Sequence, residues 1–439
     1  MPSKIIKSLV ITTSLIILAG CNNNAGSNAN TTTNQLHTSS VQKNTDQNTY
    51  LAKPTGQYGV GFKDIHFHDN SRCPDVFYKV GVNESDFSPE NANHCREIMA
   101  RVYYPSNVPV TTGGSYYLPL IQGFKDLVTG APNVESNDVQ EFDSLQSYSF
   151  KNATPIKGKS FPIVLFSHGA GGNVEEYENE ITNLVSYGYM VVGVNSFFIG
   201  DSIALPNGHI VFQDKTASDA AISSTMQSDI MFTYNSLRKI DVIENGDLNN
   251  IGIFGHSVGA RASSDLIRGN PNLFKAGVSL DDGTYMSDAH DKMVIKDGFN
   301  IPFLHVISGQ IFSMINNGGA SLKFNLYKNN YLVGLAPDDQ TLKKITPPYY
   351  TVHAEFSDEN TIKEMPVMKI WIQDYIDATE VDPYSTTDSG YIVNSINTPL
   401  VQFFNTYLKG DSNPVFNNNT CEPLSQNTVI SCGPTVFPN

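Results

Sequence analysis

The chain has 439 residues, a formal net charge of −15 and only 16% charged residues. A surface of this sign repels nucleic acid and anionic lipid, so the composition argues against a DNA- or RNA-binding protein. Any membrane association should come from a lipid anchor rather than from a basic patch. Residues 51–439 are ample for a large core and contain no internal repeat, so we predict one domain with long insertions.

The N-terminus predicts export. Two lysines precede an apolar run from Leu9 to Leu18, which is too short for a permanent membrane span and has the length of a signal peptide. The run ends in Leu-Ala-Gly-Cys21, which is typical of a bacterial lipobox. We therefore predict a lipoprotein signal peptide over residues 1–20 and lipidation of Cys21; an ordinary secretory signal with an incidental cysteine is the alternative. Asn22 favours the outer membrane or cell surface over the inner membrane.

Residues 21–50 are dominated by Asn, Ser, Thr and Gln and contain almost no apolar side chains to bury. This composition predicts a disordered tether between the anchor and the globular domain.

The first predicted strand of the domain carries two histidines. His66 and His68 alternate along it and would share one face. We interpret them as part of an ordinary polar strand face, with a metal site as the alternative, and we predict neither a metal nor a cofactor for this protein.

The four cysteines after Cys21 agree with an oxidising compartment. The pairs nearest in sequence are Cys73–Cys95 and Cys421–Cys432, and we predict these two disulfides, although four cysteines allow three connectivities.

The middle of the chain alternates between apolar strands and helical stretches, a pattern typical of a mostly parallel sheet covered by helices. Helices are predicted at about Glu175–Tyr187 and around Met226–Leu237. The predicted strands are Pro162–Phe166, Tyr189–Val194, the segment at Ile251, Ala276–Leu280, Pro302–Ile307 and Tyr349–Val352.

The strand at Ile251 runs directly into Gly255-His-Ser257-Val-Gly259 and then into a helix-compatible stretch. Turning a strand into a helix within one residue strains the backbone at the serine. Glycines flank it because a Cβ at either position would clash with the neighbouring strand and helix. We interpret the segment as a nucleophile elbow with Ser257 as nucleophile; a structural turn is the alternative. The order of elements predicts the α/β-hydrolase fold, with long loop insertions.

A serine hydroxyl needs an imidazole to accept its proton. Three histidines follow Ser257. His305 lies within a predicted strand and His290 lies in a polar loop, whereas His353 directly follows the last predicted strand. His353 is therefore the predicted base.

The predicted acid has an unusual position. After the strand ending at Ile307 no carboxylate follows until Asp338, whereas Asp281 and Asp282 directly follow the preceding strand. We choose Asp281, with Asp282 as the alternative, and a turn-forming role before Gly283 as the non-catalytic interpretation.

Two backbone N–H groups are predicted to bind the oxyanion of the tetrahedral intermediate. One belongs to Val258, the residue after the nucleophile, and the other to Ala170 in the glycine-rich loop His168–Gly172.

Four blocks resemble the plasma-type platelet-activating factor acetylhydrolases, which are calcium-independent serine phospholipases A2, and more loosely bacterial proteins related to dienelactone hydrolases. The blocks are Phe166-Ser-His-Gly-Ala-Gly, Gly255-His-Ser-Val-Gly, Gly277-Val-Ser-Leu-Asp281 and Thr351-Val-His-Ala-Glu-Phe-Ser-Asp358. The resemblance spans roughly Arg96 to Lys409. It implies Ser257 as nucleophile, Asp281 as acid, His353 as base, and Ala170 and Val258 as oxyanion donors.

The resemblance implies a serine ester hydrolase that acts through an acyl-enzyme on lipid or short-acyl esters, with phospholipids bearing a short sn-2 chain first. A general carboxylesterase or lipase and a polyester hydrolase are the alternatives within the enzyme class. A surface-binding lipoprotein on an inactive hydrolase scaffold is the non-enzymatic alternative. The oligomeric state is left open.

Overall fold

A computed structural model describes residues 50–80, 87–111, 113–282, 299–317, 330–336, 339–342, 344, 347, 349–412, 416 and 429–432. The predicted signal peptide, Cys21 and all but the last residue of the predicted tether lie outside these residues.

The described residues contain one large mixed sheet and two small two-stranded sheets, β3–β4 and the hairpin β8–β9. The large sheet has ten strands in the order β14-β13-β12-β11-β10-β6-β7-β2-β1-β5. In chain order the strands are β1 (Gly59–Asp69), β2 (Arg96–Ser106), β3 (Gly114–Ser115), β4 (Gln146–Ser147), β5 (Ser149–Lys151), β6 (Phe161–Ser167), β7 (Met190–Ser196), β8 (Ser202–Ala204), β9 (Ile210–Phe212), β10 (Gly246–His256), β11 (Ala276–Leu280), β12 (Phe303–Ile307), β13 (Asn330–Gly334) and β14 (Val429–Cys432).

The six central strands of the large sheet, from β13 to β7, pair in parallel, whereas β14, β2 and β1 are antiparallel to their inner neighbours. Parallel neighbours end at the same edge, so β6, β10, β11 and β12 present their carboxyl ends together. This edge is where the predicted site residues lie.

The helices follow the strands along the chain. They are α1 (Leu118–Val128), α2 (Ser136–Val139), α3 (Glu178–Ser186), α4 (Asp219–Ser236), α5 (Val258–Gly269), α6 (Gly309–Asn317), α7 (Asp339–Leu342), α8 (Glu359–Ile362), α9 (Pro366–Thr379) and α10 (Ser389–Phe404).

The central strands are buried on both faces, which explains their continuous apolar runs. Along β6, Ile163 and Leu165 pack in one core cluster and Val164 and Phe166 in another. The two clusters lie on opposite faces because side chains alternate along a strand. Helices α4 and α5 contribute to the first cluster, and α3 and α10 to the second.

Most of the predicted elements are confirmed. The strand prediction at Ala276–Leu280 matches β11 at both ends, and Pro302–Ile307 differs from β12 by one residue. The helix predicted from the spacing of Met226 and Ile230 is α4, in which both side chains are buried. In these elements the spacing of apolar residues follows from packing against the core, so the sequence reveals them.

The strand predicted at Tyr349–Val352 is wrong. This segment is a bent loop, and the strand that pairs with β12 is β13 (Asn330–Gly334), where the sequence predicted no strand. The loop satisfies its polar groups outside a sheet ladder: the Thr351 hydroxyl donates to the Leu335 carbonyl and accepts from the Gly309 N–H. A short apolar run alone does not separate these two outcomes.

The insertion between β2 and β6 adds a third core cluster. Helix α1 buries Leu120, Phe124 and Val128 in a cluster that also contains Trp371 of α9. The insertion is therefore packed onto the hydrolase core through α9.

The disulfide predicted between Cys73 and Cys95 is confirmed. The second predicted pair cannot be compared, because Cys421 lies outside the described residues, whereas Cys432 is the last residue of β14. Within the part of the chain that the structure describes, every helix is too short or too polar to cross a bilayer.

Candidate active site

Ser257 lies at the turn between β10 and α5 with φ 54° and ψ −126°. A positive φ is unusual for a residue with a side chain, and strain of this kind is typical of a nucleophile elbow. The side chain projects at the carboxyl edge of the sheet, beside the first turn of α5, where the helix dipole favours negative charge.

The two glycines of the elbow are sterically required. A Cβ on Gly255 would lie 2.5 Å from the carbonyl carbon of Gly259, and a Cβ on Gly259 would lie 2.3 Å from the carbonyl oxygens of Ser167 and His168. Only glycine lets strand β6 and helix α5 approach the elbow this closely. The packing therefore confirms the clash that the sequence predicts for a Cβ at either glycine.

Hydrogen bonds between strand ends place the acid next to the elbow. The Ser257 N–H donates to the Leu280 carbonyl at 3.0 Å, and the Asp281 N–H donates to the Val306 carbonyl at 2.7 Å. Asp281 itself has φ 47°, so the chain turns sharply just after β11. The turn directs the carboxylate along the edge of the sheet.

The carboxylate of Asp281 binds His353. The distance from Oδ2 to His353 Nδ1 is 2.8 Å, and Ser308 donates to the same carboxylate through its N–H at 2.6 Å and its hydroxyl at 2.8 Å. Because the buried carboxylate accepts these bonds, Nδ1 of His353 carries the proton and Nε2 is left as the basic nitrogen. The arrangement holds the tautomer that a general base needs.

His353 is positioned by its backbone as well. Its N–H donates to Oε1 of Gln310 at 2.8 Å, and it begins the 3₁₀ helix His353–Phe356. Its ring lies 4.5 Å, centroid to centroid, from the ring of His256, which directly precedes Ser257. The imidazole is thereby brought beside the elbow.

The segment after His353 is held by two buried carboxylates. Glu355 binds Lys363 Nζ at 2.6 Å. Asp358 accepts the N–H groups of Glu178 and Asn179, the first residues of α3, at 3.1 and 2.9 Å. The block Thr351–Asp358, one of the four on which the family resemblance rests, thus contains both the histidine and the carboxylates that hold its loop.

The loop His168–Gly172, which contains Ala170, lies against the nucleophile. A Cβ on Gly169 would lie 3.3 Å from Cβ of Ser257. The loop is held by hydrogen bonds from Gly169 N–H to the Tyr177 hydroxyl at 3.2 Å and from Gly171 N–H to the Ile199 carbonyl at 2.9 Å. Val258, the other predicted donor, is the first residue of α5, and its N–H has no acceptor within the helix.

His168 is a fixed, neutral imidazole beneath this loop. Its Nε2 accepts the Ser196 N–H at 3.2 Å, so its Nδ1 carries the proton and donates to the Gly169 carbonyl at 2.7 Å. Burial, as the largest cause, lowers the pKa of His168 to about 4. The side chain therefore serves as an uncharged clamp between β7 and the loop.

Asp282, His305 and His290 were the other residues that the sequence offered for the acid and the base. His353 donates its Nδ1 hydrogen bond to Asp281, while Asp282, also buried, is the next residue. His305 is buried among Phe299 and Phe303, and burial lowers its pKa to about 3, which fits a core residue. His290 lies outside the described residues.

The sequence analysis missed Ser308, Tyr177 and His168. Ser308 directly follows β12, where the sequence analysis considered only carboxylates. Tyr177 bridges Gly169 to Nδ1 of His256, with its hydroxyl 2.8 Å from that nitrogen. All three act through contacts between distant parts of the chain, and periodicity carries no signal for such contacts.

A sheet with parallel central strands, a strained serine after β10 and an acid–histidine pair at the same edge are features of the α/β-hydrolase fold. Residues 43–197 match the family described as platelet-activating factor acetylhydrolase, isoform II. The resemblance predicted from the sequence is thus confirmed over this part of the chain. The matched residues include the glycine-rich loop and end before Ser257.

Among solved structures, a ferulic acid esterase from Streptomyces cinnamoneus is similar, with a TM-score of 0.63 and 19% identity. The similarity covers 87% of this chain and 99% of the esterase and confirms the fold. No curated protein matches the sequence. Family and fold together point to an ester hydrolase.

Proposed function

We propose that the chain is a serine hydrolase of carboxylic esters, with Ser257, Asp281 and His353 as its catalytic triad. The observation that carries the proposal is the Asp281–His353 hydrogen bond of 2.8 Å beside a serine at φ 54°. A structural turn has no need of a buried carboxylate orienting an imidazole next to it.

In the proposed first step, Oγ of Ser257 attacks the ester carbonyl carbon while Nε2 of His353 takes the hydroxyl proton. The oxyanion of the tetrahedral intermediate is bound by the N–H groups of Val258 and Ala170. The intermediate collapses, the carbon–oxygen bond to the alcohol breaks, and the imidazolium returns the proton to the departing alcohol.

In the second step, water attacks the acyl-enzyme. His353 takes one proton from the water and then gives it to Oγ of Ser257, which leaves as the carboxylic acid is released. Asp281 stays ionised throughout and stabilises the imidazolium that forms in each step.

We propose lipid or short-acyl esters as substrates, with phospholipids bearing a short sn-2 chain first. The match of residues 43–197 to the acetylhydrolase family supports this choice. A general carboxylesterase is the second candidate, and the similar fold of the ferulic acid esterase supports that wider class.

Labelling by a fluorophosphonate probe tests the triad. The full-length protein should be labelled, Ser257→Ala should not, and Ser224→Ala, which removes an exposed serine on α4, should be labelled like the wild type. An unlabelled wild type would favour a binding protein on a disabled scaffold. Initial rates on platelet-activating factor, long-chain phosphatidylcholine and nitrophenyl acetate then rank the substrate classes.

We also propose that the protein is an exported lipoprotein anchored through Cys21. The lipobox-like Leu-Ala-Gly-Cys21 supports this, and the Cys73–Cys95 disulfide fits an oxidising compartment. Palmitate labelling in a bacterial host should be lost in Cys21→Ser. Export without acylation would instead favour an ordinary secretory signal.

A further inference from the structure

Three side chains of residue types that bind transition metals meet on the β1–β2 ribbon. His66 and His68 lie on one face of β1, and Glu97 of β2 stands directly opposite His68 in the antiparallel register. One ligand atom from each side chain lies within 4.8 Å of the other two. The register, which the sequence does not reveal, adds a carboxylate to the histidine pair.

The carboxylate is held as a ligand would be. Glu97 is fully buried, and its Oε1 accepts the Ser88 N–H and the Asn91 side-chain N–H, each at 2.8 Å. Asn91 is in turn bound to the backbone of Cys95 through two hydrogen bonds. These contacts leave Oε2 directed at the two histidines, and fixed outer partners of this kind orient metal ligands.

The spacing suits a tetrahedral ion. Two ligand atoms about 2.1 Å from zinc stand about 3.4 Å apart at the tetrahedral angle. Oε2 of Glu97 is 3.4 Å from Nε2 of His68 and 2.6 Å from Nε2 of His66. Of these two distances only the second has to open, by less than about 1 Å, and the His66 side chain reaches the surface.

We propose that His66, His68 and Glu97 bind one divalent transition metal ion of the zinc class. Two imidazoles and a single carboxylate favour zinc over magnesium or calcium, which prefer oxygen ligands. Three protein ligands leave a fourth position for water, and the His68 side chain, 35% exposed, opens the site to solvent.

The proposed metal is separated from the triad. Strands β2, β7 and β6 lie between β1 and β10, so four strand spacings of about 4.8 Å place it about 19 Å from the elbow. Its role is therefore to join β1 to β2 and to the disulfide-linked segment around Cys95. Removing it should lower stability and leave the ester chemistry unchanged.

Calorimetric titration of the full-length protein, purified without a histidine tag and stripped with a chelator, tests the proposal. We expect one Zn²⁺ per chain, a rise in the melting temperature of a few degrees with saturating zinc, and an esterase rate that chelation does not change by more than about 2-fold. His66→Gln and His68→Gln should each weaken binding at least about 10-fold. His209→Gln, a half-buried histidine beside the β8–β9 hairpin, is the matched control and should bind as the wild type does.

Absence of zinc binding by the wild type, or undiminished binding by both variants, overturns the proposal. If the variants do not fold, the visible absorption spectrum of the wild type loaded with Co²⁺ tests the proposed site instead. Tetrahedral visible bands without thiolate charge transfer support the site. Octahedral bands, or a thiolate band that assigns the metal to cysteine, overturn it.

Discussion

The hydroxyl of Ser308 offers the sharpest test of how the triad is held. It donates to Oδ2 of Asp281 at 2.8 Å, on the same oxygen that binds His353, and accepts the Ile311 N–H at 3.0 Å at the start of α6. Ser308→Ala removes both bonds and leaves the backbone N–H bond to Asp281 in place.

The expected loss can be worked from these contacts. A hydrogen bond to a charged, buried group contributes about 1.5–3 kcal/mol. If the loss is expressed in the transition state, where the imidazolium needs a fixed carboxylate, kcat/KM on nitrophenyl acetate falls about 10- to 150-fold. The fall should lie mainly in kcat, because the hydroxyl acts on the acid and not on the substrate.

Two variants separate this effect from general loosening of the fold. Ser308→Thr keeps the hydroxyl and should recover most of the activity. Ser218→Ala removes a comparable helix cap, on α4, where the serine accepts the Ala221 N–H at 3.3 Å, and it should cost stability without lowering kcat/KM. A folded Ser308→Ala protein within about 2-fold of the wild type would refute the reasoning, as would an equal loss in Ser218→Ala.

Two further predictions concern the elbow and the loop beside it. Gly259→Ala forces a Cβ to within 2.3 Å of backbone oxygens, so it should lower the free energy of unfolding by about 3 kcal/mol and abolish probe labelling. The control Gly269→Ala has open space around the new Cβ and should change neither. Denaturation and labelling assays run in parallel measure both effects. His168 has a folded-state pKa of about 4, lowered from 6.5 by burial, so its stabilising effect is complete above pH 6.5 and is lost as the pH falls toward 4. Between these values the contribution of His168 to the free energy of unfolding should fall by about 3 kcal/mol, and urea titrations of His168→Gln should lack this contribution. An unchanged pH dependence in the variant would assign the acid sensitivity to other groups.

Much of the fold was predictable because the core imposes a pattern on the chain. Strands β6, β11 and β12 and the second half of β10, from Ile251, are buried along their whole length and mostly apolar. The two elbow glycines were predictable because the turn from strand to helix leaves no space for a Cβ. Asp281 was chosen because no carboxylate directly follows β12, so the acid was sought after the neighbouring strand β11. This choice required only the rule that neighbouring parallel strands end at one edge.

The remaining features depend on contacts between distant residues. Ser308 reaches Asp281 across 27 positions of sequence, and Glu97 joins His66 and His68 only through the β1–β2 register. The error at Tyr349–Val352 has the same origin: which segment lies beside β12 is decided by competition among segments of the whole chain.

The outer strands of the large sheet affect how readily the protein aggregates at high concentration. The two outermost strands, β5 and β14, are its shortest, and within the described residues β5 covers β1 only over Val60–Phe62. Beyond that point β1 carries ionic and imidazole side chains, including Lys63 and Asp64, which are poor partners for a foreign strand. At high local concentration the protein should therefore resist aggregation through pairing of this edge with strands of other copies. Replacing these side chains with valine should promote such aggregation.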